Sequence, residues 1–290
     1  LLARATDSTV GQTTQGANAQ GAALAGALPH RAAGGETIKS PGLDTNAMLA
    51  NDLAGFLLLN VEPELECAQF HKAHNALSQA GFVVAMTPFV SERMKQYADV
   101  LLPIAPFSET AGTFVNIDGL WQSFRAANNP KGSARPAWKI ISALAQLLGL
   151  AGFDAQAHVD VQGELKQIIG EKKAQPMNYA FSNALPTHKS GLQLIMETSI
   201  YCADNLVRRA KPLQAMMPKD HGLILRINRA TLEKEQLTTQ KMVDVTVDGQ
   251  HRKFKLRVDE RVPDDTVVLS AGVKKTAGFA RAFALIEVKQ

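Results

Sequence analysis

Residues 55–86 read GFLLLN-VEPELECAQFHKAHNALSQA-GFVVAM, two short apolar runs separated by a stretch with helical spacing. Gly55–Asn60 is a continuous apolar run ending in the turn-prone Asn60-Val61-Glu62-Pro63, the pattern of a strand buried on both faces. Glu64–Gln79 follows with Leu65, Ala68, Ala73, Ala76 and Leu77 available for one apolar stripe, and with Glu64 and Glu66 in its first turn, where carboxylates favour a helix N-terminus. Gly81 stops it, and Phe82–Met86 is the next buried strand. Ser91–Gln96 predicts a further helical turn, and Asp99–Pro103 a third short strand. Strands alternating with helices predict a parallel sheet covered on both faces.

Downstream, Ile104–Pro136 is long and irregular and carries Gly112, Gly119, Pro130 and Gly132. A connection of that length is usually functional or packed by its own side chains. Arg135-Pro136 leads into a helix over Ala137–Leu148 that Gly149 ends. Val161–Ile169 predicts a short helix, and the polar stretch with Pro176 and Pro186 marks a domain boundary. The expected division is 1–180 and 181–290.

The second part has another grammar. Leu192–Glu197 and Gly222–Ile227 predict strands, and Asn228 can cap a short helix running to about Leu237. Val243, Val245 and Val247 alternate with polar residues up to Asp248-Gly249. Phe254, Leu256 and Val258 then alternate with Lys253, Lys255 and Arg257. Asp-Gly supplies the positive backbone angles of a type I′ turn, so this is a hairpin with one wet face. With Thr266–Leu269 and Ala284–Val288 as further strands, the module predicts a small closed barrel.

Composition narrows function. The chain has 290 residues, with 46% hydrophobic, 20% charged and only 6% aromatic, so the core rests on Leu, Val, Ile and Ala. Residues 1–180 carry 13 Lys+Arg against 15 Asp+Glu (13 − 15 = −2), and residues 181–290 carry 18 against 12 (18 − 12 = +6). A solvated mixed-charge surface is the better reading of the basic C-terminal part; an acidic partner surface or nucleic acid is the alternative, and no RNP, helix-turn-helix or zinc-finger pattern supports nucleic acid. No segment reaches the roughly 18–20 apolar residues of a membrane span, and no secretory signal opens the chain. The first residue is Leu1 rather than methionine, so a piece lacking its N-terminal portion is expected.

Several constellations invite a chemical reading. The two cysteines, Cys67 and Cys202, fit a reducing compartment and cannot alone ligate an iron–sulfur cluster, which needs four ligands. Gly16–Gly21 (GANAQG) resembles a phosphate loop but lacks the Lys-Ser/Thr ending and the GxGxxG spacing, so a helix-entry turn is the better reading. His71 and His74 could face one metal from a helix, yet no third ligand is near in sequence. No GxSxG supports a serine hydrolase. The carboxylates Glu62, Glu64, Glu66 and Glu109 are scattered, with no acid/base pairing evident, and helix-terminus or surface roles are expected for them.

Residues 98–125 add a specific signal: Ala98-Asp99-Val100-Leu101-Leu102-Pro103, then Phe107-Ser108-Glu109-Thr110-Ala111-Gly112-Thr113-Phe114-Val115-Asn116, then Asp118-Gly119 and Gln122. This run resembles the ADVVLP…GTFxNxEGRxQ signature of the molybdopterin oxidoreductase superfamily. Arg135–Ile141, Tyr201–Arg209 (with its LVRR ending) and Asp259–Pro263 are similar to further segments of that family. The implied fold is α/β, a parallel-sheet Rossmann-like domain followed by a small double-psi-type β-barrel. Within the superfamily, Phe114–Phe124 and Gly26–His30 look most like the G-subunit family of bacterial NADH-quinone oxidoreductases (respiratory complex I), and this chain like its C-terminal half.

That resemblance implies a non-catalytic structural and docking part of an iron–sulfur electron-transfer subunit. It implies no catalytic residues, no metal and no cofactor in this fragment, with molybdopterin not expected and iron–sulfur clusters in the missing N-terminal part. Vestigial pterin-site positions would be Asn60, Glu62, Thr113 and Asn116. The implied partners are other subunits of the peripheral arm, without direct membrane insertion, at the cytoplasmic face of the bacterial inner membrane. One departure agrees: cofactor-loaded relatives commonly end the strand matching Phe82–Met86 in an Asp, whereas Thr87-Pro88 follows here. The alternative is the C-terminal half of an active, formate dehydrogenase-like molybdopterin enzyme. For the Thr113–Asn116 loop the competing reading is structural, with Gly112 permitting a tight turn and Asn116 satisfying backbone groups.

Overall fold

The computed structural model describes residues 6–8, 16–67, 69–170, 190–279 and 283–290. The chain divides into two compact units: residues 1–48 with 103–187, and residues 49–102 with 188–290. This grouping interleaves segments across the boundary expected near residue 180, because residues 49–102 join the C-terminal part. The expected linker at 171–189 lies outside the described residues.

In the larger unit, β1 (Gly55–Leu59), β2 (Phe82–Thr87) and β3 (Val100–Pro103) form a three-stranded sheet in the order β1-β2-β3. β1 and β2 run parallel, with Leu57 opposite Val84 and Leu59 opposite Met86. The expected helix over Glu64–Gln79 is two helices, Pro63–Glu66 and Phe70–Gln79, because the backbone at Cys67 is extended. Leu77 of the second helix, together with Met94 and Tyr97 of helix Met94–Tyr97, packs on Val83 and Ala85. Phe56 and Leu58 lie against the same cluster. Expected burial on both faces is therefore corrected. One face is covered; on the other Met86 is buried, while Leu57 (58% exposed), Leu59 (48%) and Phe82 (53%) lie open.

The smaller unit holds what read as an irregular loop. Within 104–136 the chain forms a hairpin of β4 (Gly112–Val115) and β5 (Trp121–Phe124), with Val115 opposite Trp121. Gly112 is a strand residue, not the tight turn expected. A side chain there would meet the Phe124 ring, its Cβ 3.1 Å from the ring edge. The turn glycine is Gly119, at φ +78°. The Phe114 and Phe124 rings meet edge-on at 4.9 Å between centroids. The GANAQG segment enters helix Ala19–Leu24, and the Asn18 Oδ1 accepts the Val115 N–H at 2.8 Å. The helix over Ala137–Leu147 matches the expectation to one residue, and the next, His158–Ile169, begins three residues early.

The larger unit also contains β6 (Gln193–Thr198), β7 (Ile224–Ile227), β8 (Met242–Val247), β9 (Gln250–Val258), β10 (Thr266–Ala271), β11 (Ala284–Leu285) and β12 (Glu287–Lys289). They form one mixed sheet in the order β11-β6-β10-β7-β9-β8-β12. β11 pairs with β6 and β12 with β8, and Ile286 alone separates the two, donating its N–H to Leu192 O. One terminal segment thus bridges both edges, and the sheet is a nearly closed barrel. Closure removes the unpaired edges that an open sheet would expose.

The barrel's interior is the alternation read from sequence: Val243, Val245, Val247, Phe254 and Leu256 point inward and join Leu194, Leu225, Ile227, Val267 and Leu269. Asp248 (φ 46°) and Gly249 (φ 77°) both take left-handed backbone at the β8–β9 turn, as type I′ requires. Asn228 caps helix Arg229–Lys234 by accepting the Thr231 N–H at 2.8 Å. No helix among the described residues is long and apolar enough to cross a membrane.

Candidate functional site: a buried glutamate between two arginines

Asn60 ends β1 with a positive φ of 52°, a conformation Asn tolerates better than most side chains. Its N–H donates to Met86 O at 2.8 Å, and its Oδ1 accepts from Asn205 Nδ2 at 2.6 Å. That turn delivers Glu62 to the N-terminus of helix Pro63–Glu66, where Pro63 needs no donor partner. Glu66 reaches back one turn, its Oε2 accepting the Glu62 N–H at 2.9 Å.

The Glu62 side chain is 1% exposed. A carboxylate so placed requires compensating charge and hydrogen bonds. Both come from the Leu206-Val207-Arg208-Arg209 segment of the same unit. Arg208 donates to Glu62 Oε2 at 2.7 Å and 3.2 Å, to Glu66, and to Cys202 O at 3.0 Å. Arg209 donates to Glu62 Oε1 at 2.5 Å and Oε2 at 3.0 Å, and to Asn205 O at 2.9 Å. The Asp204 carboxylate accepts the Leu206 and Val207 N–H groups, and Gln214 Nε2 donates to Tyr201 O and Val207 O, so the arginine-bearing turn is itself held.

Burial pushes the Glu62 carboxyl upward, but hydrogen bonds and charge from Arg209 and Arg208 outweigh it and hold the group below the ordinary glutamate value of 4.5. Burial opposes the charge of Arg208, yet Glu66 and Glu62 together hold its proton more tightly than usual. The thiols go the other way. Burial, then the Glu66 and Glu64 charges, raises Cys67, and burial raises Cys202 against the opposing effect of Arg208. Both are thus protonated at neutral pH, which disfavours either as a nucleophile or metal ligand.

A cleft of about 1080 Å³ opens beside this cluster, with Glu62, Glu64, Arg208 and Arg209 among its walls and Lys219, Lys274 and Lys275 also lining it. Thr87, at the position where cofactor-loaded relatives are expected to carry Asp, exchanges hydrogen bonds with the Phe89 backbone. The Phe89 ring in turn lies 4.4 Å from the Arg209 guanidinium carbon. Three atoms near the helix layer are buried without partners: Glu64 Oε2, His74 Nδ1 and Tyr97 Oη. Burial, then the charges of Glu64, Cys67 and Glu62, pushes the Tyr97 phenol well above its usual range.

Of the four site positions expected from sequence, Asn60 and Glu62 come together at this cluster. Thr113 and Asn116 belong to the smaller unit and have local partners. Thr113 Oγ1 lies 3.0 Å from Ser123 Oγ and accepts from Gln162 Nε2 at 2.9 Å. Asn116 Oδ1 accepts the Asp118 and Leu120 N–H groups at 3.0 and 2.9 Å, closing the β4–β5 turn. Of the scattered carboxylates, Glu62 and Glu66 share the arginines, Glu64 takes the Ser91 hydroxyl, and Glu109 accepts the Lys131 N–H at 3.2 Å. His74 stacks on Phe70 while His71 is exposed, and no group of three or more His, Cys, Asp or Glu side chains suited to a metal occurs among the described residues.

Sequence reading missed Arg208 and Arg209 as partners of Glu62 and Asn205 as the partner of Asn60, all about 145 positions away in the chain. The available signal was the pairing of a glutamate-rich Glu62–Glu66 with the only adjacent arginine pair, Arg208-Arg209.

Residues 5–147, just under half of the chain, match the molybdopterin oxidoreductase family model. The chain is similar to the G subunit of the NADH-quinone oxidoreductase of Streptomyces coelicolor, 26% identical over 90% of this chain and 34% of that protein. It is also similar to the assimilatory nitrate reductase catalytic subunit of Bacillus subtilis, 34% identical over 40% of this chain and 16% of that protein. Among solved structures, acetylene hydratase from Pelobacter acetylenicus superposes with a TM-score of 0.57 at 16% identity, over 89% of this chain and 44% of its own. The chain therefore spans about a sixth to a third of these curated relatives.

Proposed function

We propose that this chain is a non-catalytic structural and docking part of the electron-transfer G subunit of an NADH-quinone oxidoreductase. The observation that carries the reading is the Glu62–Arg208–Arg209 cluster. An anionic pterin nucleotide needs free cationic donors in a cleft. Here the buried Arg208 guanidinium is committed to Glu62 and Glu66 and the more open Arg209 guanidinium to Glu62, so these two arginines of the cleft wall do not fit an added pyrophosphate. The Thr113 hydroxyl is likewise used by Ser123 and Gln162, and the Asn116 side-chain carbonyl within the β4–β5 turn. Similarity to such a G subunit across 90% of the chain supports the same assignment. On this reading, electron carriers and redox chemistry belong to other parts of the protein, and the chain works at the cytoplasmic face of the membrane through neighbouring subunits.

A second reading rests on the cleft itself. Its volume of about 1080 Å³ and the lysines 219, 274 and 275 on its walls would suit a large anion, as in a working molybdopterin oxidoreductase. One experiment separates the two: assay of the purified full-length protein for molybdenum, tungsten and released fluorescent pterin. The structural reading expects none of the three; near-stoichiometric pterin would overturn it.

A further inference from the structure

Two sulfur atoms meet on the wall of the cleft. Cys202 ends the short turn Ile200–Cys202 and is 2% exposed, and its Sγ lies 3.6 Å from Met217 Sδ. The segments that carry them are tied together, since Gln214 Nε2 donates to Tyr201 O at 2.8 Å. Gly272 keeps the wall thin beside the thiol: it takes φ +72°, and a Cβ there would lie 3.1 Å from Cys202 Cβ. His221 lines the same cleft, and its Nε2 is buried with no hydrogen-bond partner. A buried polar nitrogen left in that state needs a physical reason. Burial, then the Arg226 charge, lowers the His221 value, so the ring is neutral and one of its nitrogens keeps a lone pair. The donor set is therefore one thiol, one thioether and one imidazole, with no carboxylate.

We propose that Cys202, Met217 and His221 form a binding site for a soft monovalent cation, Cu(I). Thiolate and thioether sulfur are the donors that select Cu(I), and imidazole completes a three-coordinate set. One ion held by both sulfurs at a metal–sulfur length of about 2.3 Å keeps them roughly 3.6–4.6 Å apart, a range that the sulfur pair already meets. Binding is an exchange: the Cys202 S–H bond breaks, the proton leaves to solvent, and an S–Cu bond forms with no change of oxidation state. Burial keeps that proton on the thiol at neutral pH, so an ion of high thiolate affinity is needed to displace it. Charge then decides between ions. Replacing H⁺ by Cu⁺ leaves the net charge of the site unchanged. Zn(II) would add a positive charge to a cleft whose walls already carry Arg93, Arg208, Lys219, Lys274 and Lys275.

The test uses the 290-residue chain, whose other cysteine is Cys67. Reduced protein is titrated anaerobically with Cu(I) against the chromogenic chelator bicinchoninate, which gives stoichiometry and affinity. One Cu(I) per chain is expected, unchanged in Cys67→Ser and lost in Cys202→Ser. Met217→Leu and His221→Ala should each weaken binding at least ~10-fold, because even outer-shell partners of a metal contribute on that scale. X-ray absorption of the loaded wild type needs no variant, so it reads the site even where a substitution unfolds the chain. Two sulfurs and one nitrogen around copper are expected. Wild-type affinity in Cys202→Ser, Met217→Leu or His221→Ala overturns the proposal, as does a copper shell without two sulfurs and a nitrogen, or Zn(II) bound in preference to Cu(I).

Discussion

The barrel and the three-stranded sheet lie in one compact unit and solve the same problem differently. In the barrel, β8 and β9 alternate inward valines, Phe254 and Leu256 with polar residues, and the Ala284–Lys289 segment ties β6 to β8 so that no long edge remains. In the sheet, GFLLLN and FVVAM are apolar on both sides, yet the chain supplies a cover for one side and leaves β1 as an edge. Alternation describes an element that finishes itself against its own neighbours. A continuous apolar run describes one that requires two further layers, and the sequence of the run does not say where those layers come from.

Substitutions probe that contrast. The largest effect is expected at Phe254, whose ring fills the barrel beside Phe279 at 5.3 Å: Phe254→Ala should lower unfolding stability by about 3–5 kcal/mol. In these 290 residues Phe82→Ala should cost far less, and equal losses in urea unfolding would break the contrast.

Next comes the Glu62 cluster. Glu62→Gln keeps the shape but leaves two guanidiniums facing a neutral group, and breaking such a buried pair costs about 3 kcal/mol. Because the folded-state value of Glu62 is depressed, its contribution is fully present above about 4.5, its ordinary value, and is lost as pH falls through the folded-state value. The gap between wild type and Glu62→Gln should therefore be wide at neutral pH and narrow in acid. A gap independent of pH would show that packing, not charge, holds the cluster.

Smaller effects follow at the caps and turns. Asn228→Ala removes the acceptor for Thr231 N–H and the Nδ2 bond to Asp264, and should cost about 1–2 kcal/mol by thermal melt. Asn116→Ala opens the β4–β5 turn and should cost about 1 kcal/mol, leaving any bound-cofactor signal untouched. An unchanged melting temperature would remove the structural role assigned to Asn116.

Local chemistry was legible wherever neighbours in sequence are neighbours in space. The Asp248-Gly249 turn, the Asn228 cap, the β8–β9 alternation and the strands at 55–59 and 82–87 were all fixed by backbone preference and side-chain period. The run at 98–125 carried the resemblance and lies inside the stretch 5–147 that matches the family model, although the β4–β5 hairpin inside it read as irregular loop. Its strands are only four residues long, too short for a period to show, and Asn116 and Asn18 stabilise them through side-chain acceptors.

What only tertiary structure decided involves distance along the chain. Glu62 looked like a surface or helix-terminus carboxylate. It is a buried ion-pair partner because the fold brings residues 205–209 to it, and electrostatic compensation of a buried charge has no signature in local sequence. A closed barrel ending in a strand at Ala284–Val288 was expected, but the split of that segment at Ile286 to pair with both β6 and β8 was not, since pairing partners depend on the path of the whole chain. By itself the sequence determined most of the strands and helices with a clear period and which of their faces are apolar; the three-dimensional structure decided the β4–β5 hairpin, the break at Cys67 and which of those faces meet.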